Sequence, residues 1–203
     1  MKNFFTTRNI CVIAIFTALV IVLSYLPIGL IPTPIGNIAP LLIAVVVLGC
    51  LTNSFGVAFY ITTLFGVVSF IRAYTTPSSA LSIALQNPLI SIFPRAMISV
   101  SVHFVYIWTK KMFKNGKNNF VKKTLPLAFA GAAGSLTNAI LLLSLAALFS
   151  GSATFQGSQP LIYTIPTLIL IGTIPETFVC SVIVPPIAQI VNKVINKGEI
   201  AWF

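Results

Sequence analysis

The sequence predicts an all-α membrane protein of six transmembrane helices with its N- and C-termini in the cytoplasm. Three observations carry that expectation. First, 57% of the 203 residues are hydrophobic and only 7% are charged, with a mean hydropathy of +1.02, whereas a water-soluble domain carries roughly a quarter charged residues. Second, the apolar residues fall into six runs, at about 9–26, 38–51, 55–71, 89–109, 124–149 and 161–191, so that residues 1–203 form a single integral-membrane domain. Third, ten of the twelve Lys and Arg (Lys2, Arg8, Lys110, Lys111, Lys114, Lys117, Lys122, Lys123, Lys193 and Lys197) share one side if the chain crosses six times. Such an excess of cations marks cytoplasmic loops. The net charge of +10 therefore reflects topology, since a nucleic-acid role needs a folded basic face and no soluble domain is available to carry one.

The first helix runs from about Asn9 to Leu26 and stops at Pro27. Lys2 and Arg8 before an apolar core mimic a signal peptide, but no small-x-small cleavage site follows, so the segment is expected to be retained as a helix. Ala14 and Ala18 form a small-xxx-small pair on one of its faces, which allows another helix backbone to approach closely. Residues 28–40 hold three prolines and two glycines and no charge. That excludes a regular helix and suggests a lid-like or re-entrant loop lying over protein. The second helix, about Ile38 to Leu51, is short for a crossing of around 20 residues and turns at Leu51-Thr-Asn-Ser54 into a third, about Phe55 to Ile71. Arg72 at its end suits an interfacial, snorkelling position. A polar loop, Ala73 to Pro88, precedes a fourth helix, about Leu89 to Thr109, and a basic loop, 110–123, follows it. A fifth helix at about 124–149 carries Gly131, Gly134, Ser135, Thr137 and Asn138 in its middle. A sixth at about 161–191 is interrupted by Pro166, Gly172, Pro175, Pro185 and Pro186. No internal repeat argues for an inverted-repeat transporter.

Within this topology the intramembrane polar residues need an account. Arg95 lies about two turns inside its apolar run, where an arginine costs roughly 2.5 to 3.5 kcal/mol on insertion scales. Counting along the helices puts Arg95 in the outer half, Asn138 about halfway and Glu176 near the middle or slightly outward, so the three converge on one outward-facing pocket. Two accounts stay open: a buried Arg95–Glu176 ion pair, which desolvation leaves with little net gain, or a bidentate contact from Arg95 to a ligand carboxylate. Depth favours Arg95 over Arg72 for that contact. His103 suits a helix–helix hydrogen bond, Tyr106 and Trp108 suit interfacial anchors, and Cys11, Cys50 and Cys180 suit buried small hydrophobes. Catalysis is poorly supported. The chain has one His, no Asp, no Ser/His/acid set, no paired carboxylates, no metal-ligand cluster and no GxxxxGK[ST] loop. No cofactor is expected. The residues describe a small, outward-open binding protein that takes its energy from something else.

Several stretches are also familiar as a set: Arg8-Asn9 leading into Ala14-Ile-Phe-Thr-Ala18, Pro27-Ile-Gly-Leu-Ile-Pro-Thr-Pro34, Phe65-Gly-Val-Val-Ser-Phe70, Asn87-Pro-Leu-Ile-Ser-Ile-Phe-Pro-Arg95 and Gly134-Ser-Leu-Thr-Asn138. Over most of its length the chain resembles the substrate-binding S components of energy-coupling factor (ECF) vitamin transporters, and the Asn-Pro-Leu-Ile-Ser-x-x-Pro-Arg run is most similar to the pantothenate-type members. It departs from them where Leu48-Gly-Cys-Leu51 stands in place of Leu-Gly-Pro-Lys. The resemblance implies a six-helix subunit of the bacterial plasma membrane that captures a vitamin from outside. It further implies assembly with a transmembrane T component and two cytoplasmic ATPases, Ala14 and Ala18 packing against the T component. Pantothenate would place its carboxylate on Arg95, and its amide and hydroxyls on Asn138, Glu176, Gln86 and Asn87. A different vitamin or precursor, such as hydroxymethylpyrimidine or pyridoxine, would leave Arg95 structural, and a ligand-free membrane interaction protein is the third reading.

Overall fold

The computed structural model describes residues 7–26, 31–32, 37–38, 40–77, 80–113, 119–150 and 161–195. They form eight α-helices: α1 (Thr7–Tyr25), α2 (Pro40–Thr52), α3 (Phe55–Thr75), α4 (Ala80–Ala84), α5 (Pro88–Met112), α6 (Asn119–Ser150), α7 (Leu161–Leu168) and α8 (Ile174–Ile195). A π-helical turn, Ile169–Thr173, joins α7 to α8. The uncharged loop contributes a two-residue antiparallel pairing, Ile31 opposite Ile38 and Pro32 opposite Asn37, and the rest of residues 27–39 lies outside the described set. Four helical stretches are long and apolar enough to cross a membrane: Phe55–Thr75, Pro88–Met112, Lys122–Ser150 and Ile165–Val191. The apolar helices Asn9–Tyr25 and Pro40–Thr52 are shorter.

Several boundaries differ from the sequence expectation. The second helix begins at Pro40 rather than Ile38, because Ile38 is taken up in the strand pairing and proline is well suited to a first helical position. Of the basic stretch 110–123, the described residues 110–112 and 119–123 are helix, with Lys110 and Lys111 on α5 and Lys122 and Lys123 on α6. Lysine is a good helix former, so charge there marks an interface without ending the helix. The polar stretch 73–88 is also mostly helical, through the end of α3 and the short α4. The proline-rich sixth segment runs on without a break. Pro175 lacks the N–H that would return to Ile171, and the π turn just before it takes up the mismatch, with Ile174 N–H donating to Ile169 O.

The burial pattern is inside-out for a water-soluble protein. Phe104, Ile140, Leu148 and Phe178 are largely exposed, while Arg95, Ser99, Ser135, Asn138 and Glu176 are buried. In water such an exposed apolar surface would aggregate; in lipid it is the expected outer face. Tyr106 is 4% exposed and packs in the core, so of the two predicted anchors only Trp108 reaches the surface. Cys50 and Cys180 are buried as expected, but Cys11 is exposed on α1.

α5 is the central helix, packed along α6 on one side and α3 on the other; α8 closes the bundle against α6 and α2. These crossings are close because glycine sits at them. A Cβ on Gly66 would come 2.8 Å from the Ile92 Cα, and one on Gly131 would come 2.9 Å from the Cys180 carbonyl oxygen. Where lipid is as apolar as the side chains, such close backbone packing is what drives helix association. Ser91 Oγ donates to the Gly66 carbonyl at 3.1 Å and pins the α3–α5 crossing. At one end of the bundle Gln189 Nε2 donates to Thr124 Oγ1 at 3.0 Å, and the described lysines Lys110, Lys111, Lys122, Lys123 and Lys193 belong to the helix ends meeting there. Arg72 and Arg95 belong to the opposite half, near the C-terminus of α3 and the N-terminus of α5.

Candidate functional site

That opposite half holds a cavity of about 140 Å³ lined by residues of α2, α3, α4, α5, α6, α7, the π turn and α8, with Ser24 of α1 at its wall. Arg95, Asn138 and Glu176, from three different helices, all line it.

The position of Arg95 follows from the residue before it. Pro94 sits inside α5 and has no N–H to give the carbonyl four residues back, that of Ile90. Arg95 Nη1 turns back and donates to the Ile90 oxygen at 3.1 Å. The guanidinium also lies over the Phe65 ring, 5.6 Å from its centroid, within range of a cation–π attraction. Arg95 is 5% exposed, and its Nε has no hydrogen-bond partner. The side chain is thus held in place by two contacts and still has donor capacity to offer. Phe65 stays on the facing helix because Gly66 brings α3 against α5.

Asn138 is 6% exposed on α6, and its Oδ1 also lacks a partner. Glu176, 8% exposed in the first turn of α8, accepts at Oε1 a hydrogen bond of 3.1 Å from Ser135 Oγ, one turn before Asn138. Ser135 Oγ lies 3.2 Å from Thr177 Oγ1, whose hydroxyl donates to the Thr173 carbonyl at 2.8 Å. This chain of hydroxyls ties the start of α8 to α6 and fixes Glu176. The close contacts of Arg95 are with Ile90 and Phe65 and that of Glu176 is with Ser135, so among the described residues the two charges share a cavity without a hydrogen bond joining them.

Gln86 and Asn87 do not line this cavity; each serves the backbone. Asn87 is the N-cap of α5, its Oδ1 accepting from the Leu89 N–H at 3.0 Å, the usual task of asparagine there. Gln86 Nε2 donates to the Ala73 carbonyl at 3.1 Å, and its own carbonyl accepts from the Tyr74 hydroxyl at 3.2 Å, which ties the α4–α5 turn to the end of α3. His103 is not at the cavity either; its ring packs against Phe55, 5.5 Å between centroids.

Arg72, expected to snorkel at the interface, lines the cavity instead. The sequence held a signal for this. Phe65, Ser69, Arg72, Ala73 and Thr76 stand at i, i+4, i+7, i+8 and i+11, one face of a helix, and all five line the cavity. Among the described residues no group of three or more His, Cys, Asp or Glu is gathered. The cavity can accept an acceptor-bearing group at its arginines and a donor at Asn138.

Ala14 and Ala18 are both exposed on α1, away from the cavity. Comparison with curated proteins gives no match. The family model described as ECF transporter, substrate-specific component, matches residues 8–188, a span that contains every residue lining the cavity. The chain therefore belongs to the substrate-specific component family of ECF transporters, and it is a membrane transport subunit, not an enzyme.

Proposed function

We propose that this chain is the vitamin-capturing subunit of an ECF importer in a bacterial plasma membrane and that its vitamin is pantothenate. The observation that carries the ligand class is the charge of the cavity. Arg72, Arg95 and Glu176 line it, so two cations stand against one carboxylate, and one positive charge is uncompensated. A monoanion cancels that charge, and a neutral vitamin leaves it without a counter-charge in the cavity. Pantothenate has one carboxylate for Arg95, and it offers an amide N–H and two hydroxyls to the unpartnered Asn138 Oδ1 and to Glu176.

In this reading the chain crosses the membrane six times, with the lysine-rich end and both termini cytoplasmic under the positive-inside rule and the cavity open outward. The chain holds no phosphate-binding GxxxxGK[ST] loop, and energy comes from two ATPases through a T component. The exposed Ala14–Ala18 face of α1 is the surface for that component, since small residues let a foreign helix approach closely.

Titration calorimetry of the purified protein in detergent against pantothenate, riboflavin, biotin and pyridoxine is the direct test. Pantothenate alone should bind; a signal from one of the others in its place would refute the vitamin named here. Ala14→Trp should leave that binding unchanged within about twofold and still abolish co-purification with the T component and ATPases. A normal complex carrying this variant would remove α1 from the interface.

A further inference from the structure

We propose that Arg72 is a second ligand-contacting cation of this cavity, placed outward of Arg95, and that the ligand is an elongated organic anion with a hydrogen-bond acceptor at each end. The inference rests on reading the cavity as the transport site, and it does not depend on which vitamin occupies it.

The geometry of α3 carries the argument. Its cavity-lining face runs from Phe65, 3% exposed, through the half-buried Ser69 and Arg72 and the buried Ala73 to Thr76, which is exposed. The buried end of this face meets the Arg95 guanidinium at the Phe65 ring. Seven residues of helix separate Phe65 from Arg72, which is about 10 Å along the axis. Helical side chains lean toward the helix N-terminus, so Arg72 leans back down the cavity toward Arg95, not away from it.

Among the described residues a single carboxylate, Glu176, lines the cavity against two arginines, and it makes no hydrogen bond to either. The chain has two acidic residues, Glu176 and Glu199; Glu176 is engaged by Ser135, and Glu199 lies outside the described residues. A snorkelling arginine at a helix end would turn outward to headgroups, whereas Arg72 lines the cavity together with Arg95. Ser69, one turn before Arg72 on α3, and the unpartnered Oδ1 of Asn138 line the same cavity. A ligand that satisfies this set offers an acceptor to Arg95, a donor to Asn138 and a second acceptor to Arg72, the two acceptors separated by no more than about 10 Å. A compact neutral ring satisfies at most one end.

The test titrates the wild-type protein, R72Q and R72K with pantothenate, folate and pyridoxine, and follows the thermal midpoint of each variant without ligand. An anion should bind the wild type, R72Q should weaken it at least tenfold with an unchanged ligand-free midpoint, and R72K should recover most of the loss. Binding by R72Q within twofold of wild type overturns the inference, as does pyridoxine binding as tightly as either anion. A loss in R72Q that comes with a lowered midpoint and is not recovered by R72K assigns Arg72 a structural role and overturns it too. Folate binding in place of pantothenate, with the R72Q loss, keeps the two-cation cavity and discards the vitamin. Silence from all three ligands overturns both.

Discussion

Arg95→Ala is expected to abolish substrate binding while the protein still inserts and folds. Removing one partner of a buried, hydrogen-bonded charge pair costs about 2–5 kcal/mol, and each 1.4 kcal/mol is tenfold in affinity, so a loss of roughly a hundredfold or more is expected. The fold survives because Arg95 contributes a single hydrogen bond to the backbone, at the Ile90 carbonyl, and the helix around it is capped independently by Asn87. Arg95→Lys should recover little, since an ammonium keeps the charge but loses the planar fork and its stacking on the Phe65 ring. Calorimetry on the purified variant reads the affinity, and a thermal melt without ligand confirms folding. Binding within a few fold of wild type would show that the acid group, if the ligand has one, is held elsewhere.

Gly66→Val is the substitution expected to damage the molecule most without touching the ligand. Even a methyl there would stand 2.8 Å from the Ile92 Cα and 3.2 Å from the Ser91 carbonyl oxygen. Both are backbone atoms and cannot swing aside, so α3 and α5 must separate. Overpacking of this kind costs about 1–3 kcal/mol or more, a fall of about 2–12 °C or more in thermal midpoint for a chain of this size. Separation would also break the Ser91–Gly66 hydrogen bond and draw Phe65 off the Arg95 guanidinium, so binding should weaken together with stability. Gly56→Ala, at an exposed position on the same helix, is the control and should change neither. An unaltered melt for Gly66→Val would mean that the helices do not cross as closely as described.

How much of this was legible in the chain depends on whether a residue's meaning is local. Arg95 stood out because an arginine two turns inside an apolar run has few bland explanations, and simple counting along α5, α6 and α8 brought it to the level of Asn138 and Glu176. Their partners were not legible. That Ile90 would receive Arg95, or Ser135 would hold Glu176, depends on side-chain angles set by packing. Gln86 and Asn87 misled because an amide beside a proline serves a helix cap as well as a ligand, and the local sequence is the same in both cases. Arg72 misled in the opposite direction. Its place at the end of an apolar run is where snorkelling arginines sit, and only its phase with Phe65 and Ser69 marks it as inward-facing. Lys110, Lys111, Lys122 and Lys123 carry a topology signal but no helix-ending one, so each lies on a helix inside a stretch that charge alone marks as a loop.

The π turn between α7 and α8 has a consequence for phase. Leu168 and Glu176 both line the cavity, eight residues apart. In an uninterrupted α-helix eight residues make about 2.2 turns, which would set the two about 80° out of line. The wider turn at Ile169–Thr173 absorbs that excess, so Leu168 before it and Glu176, Cys180, Val184 and Ala188 after it all face inward. The turn works as a vernier between two stretches of helix that would otherwise drift out of register. Winding the same residues as plain α-helix would turn Leu168 and the helix before it by about 80° relative to α8, with no change in composition or hydropathy to announce that the wall of the cavity had rotated away.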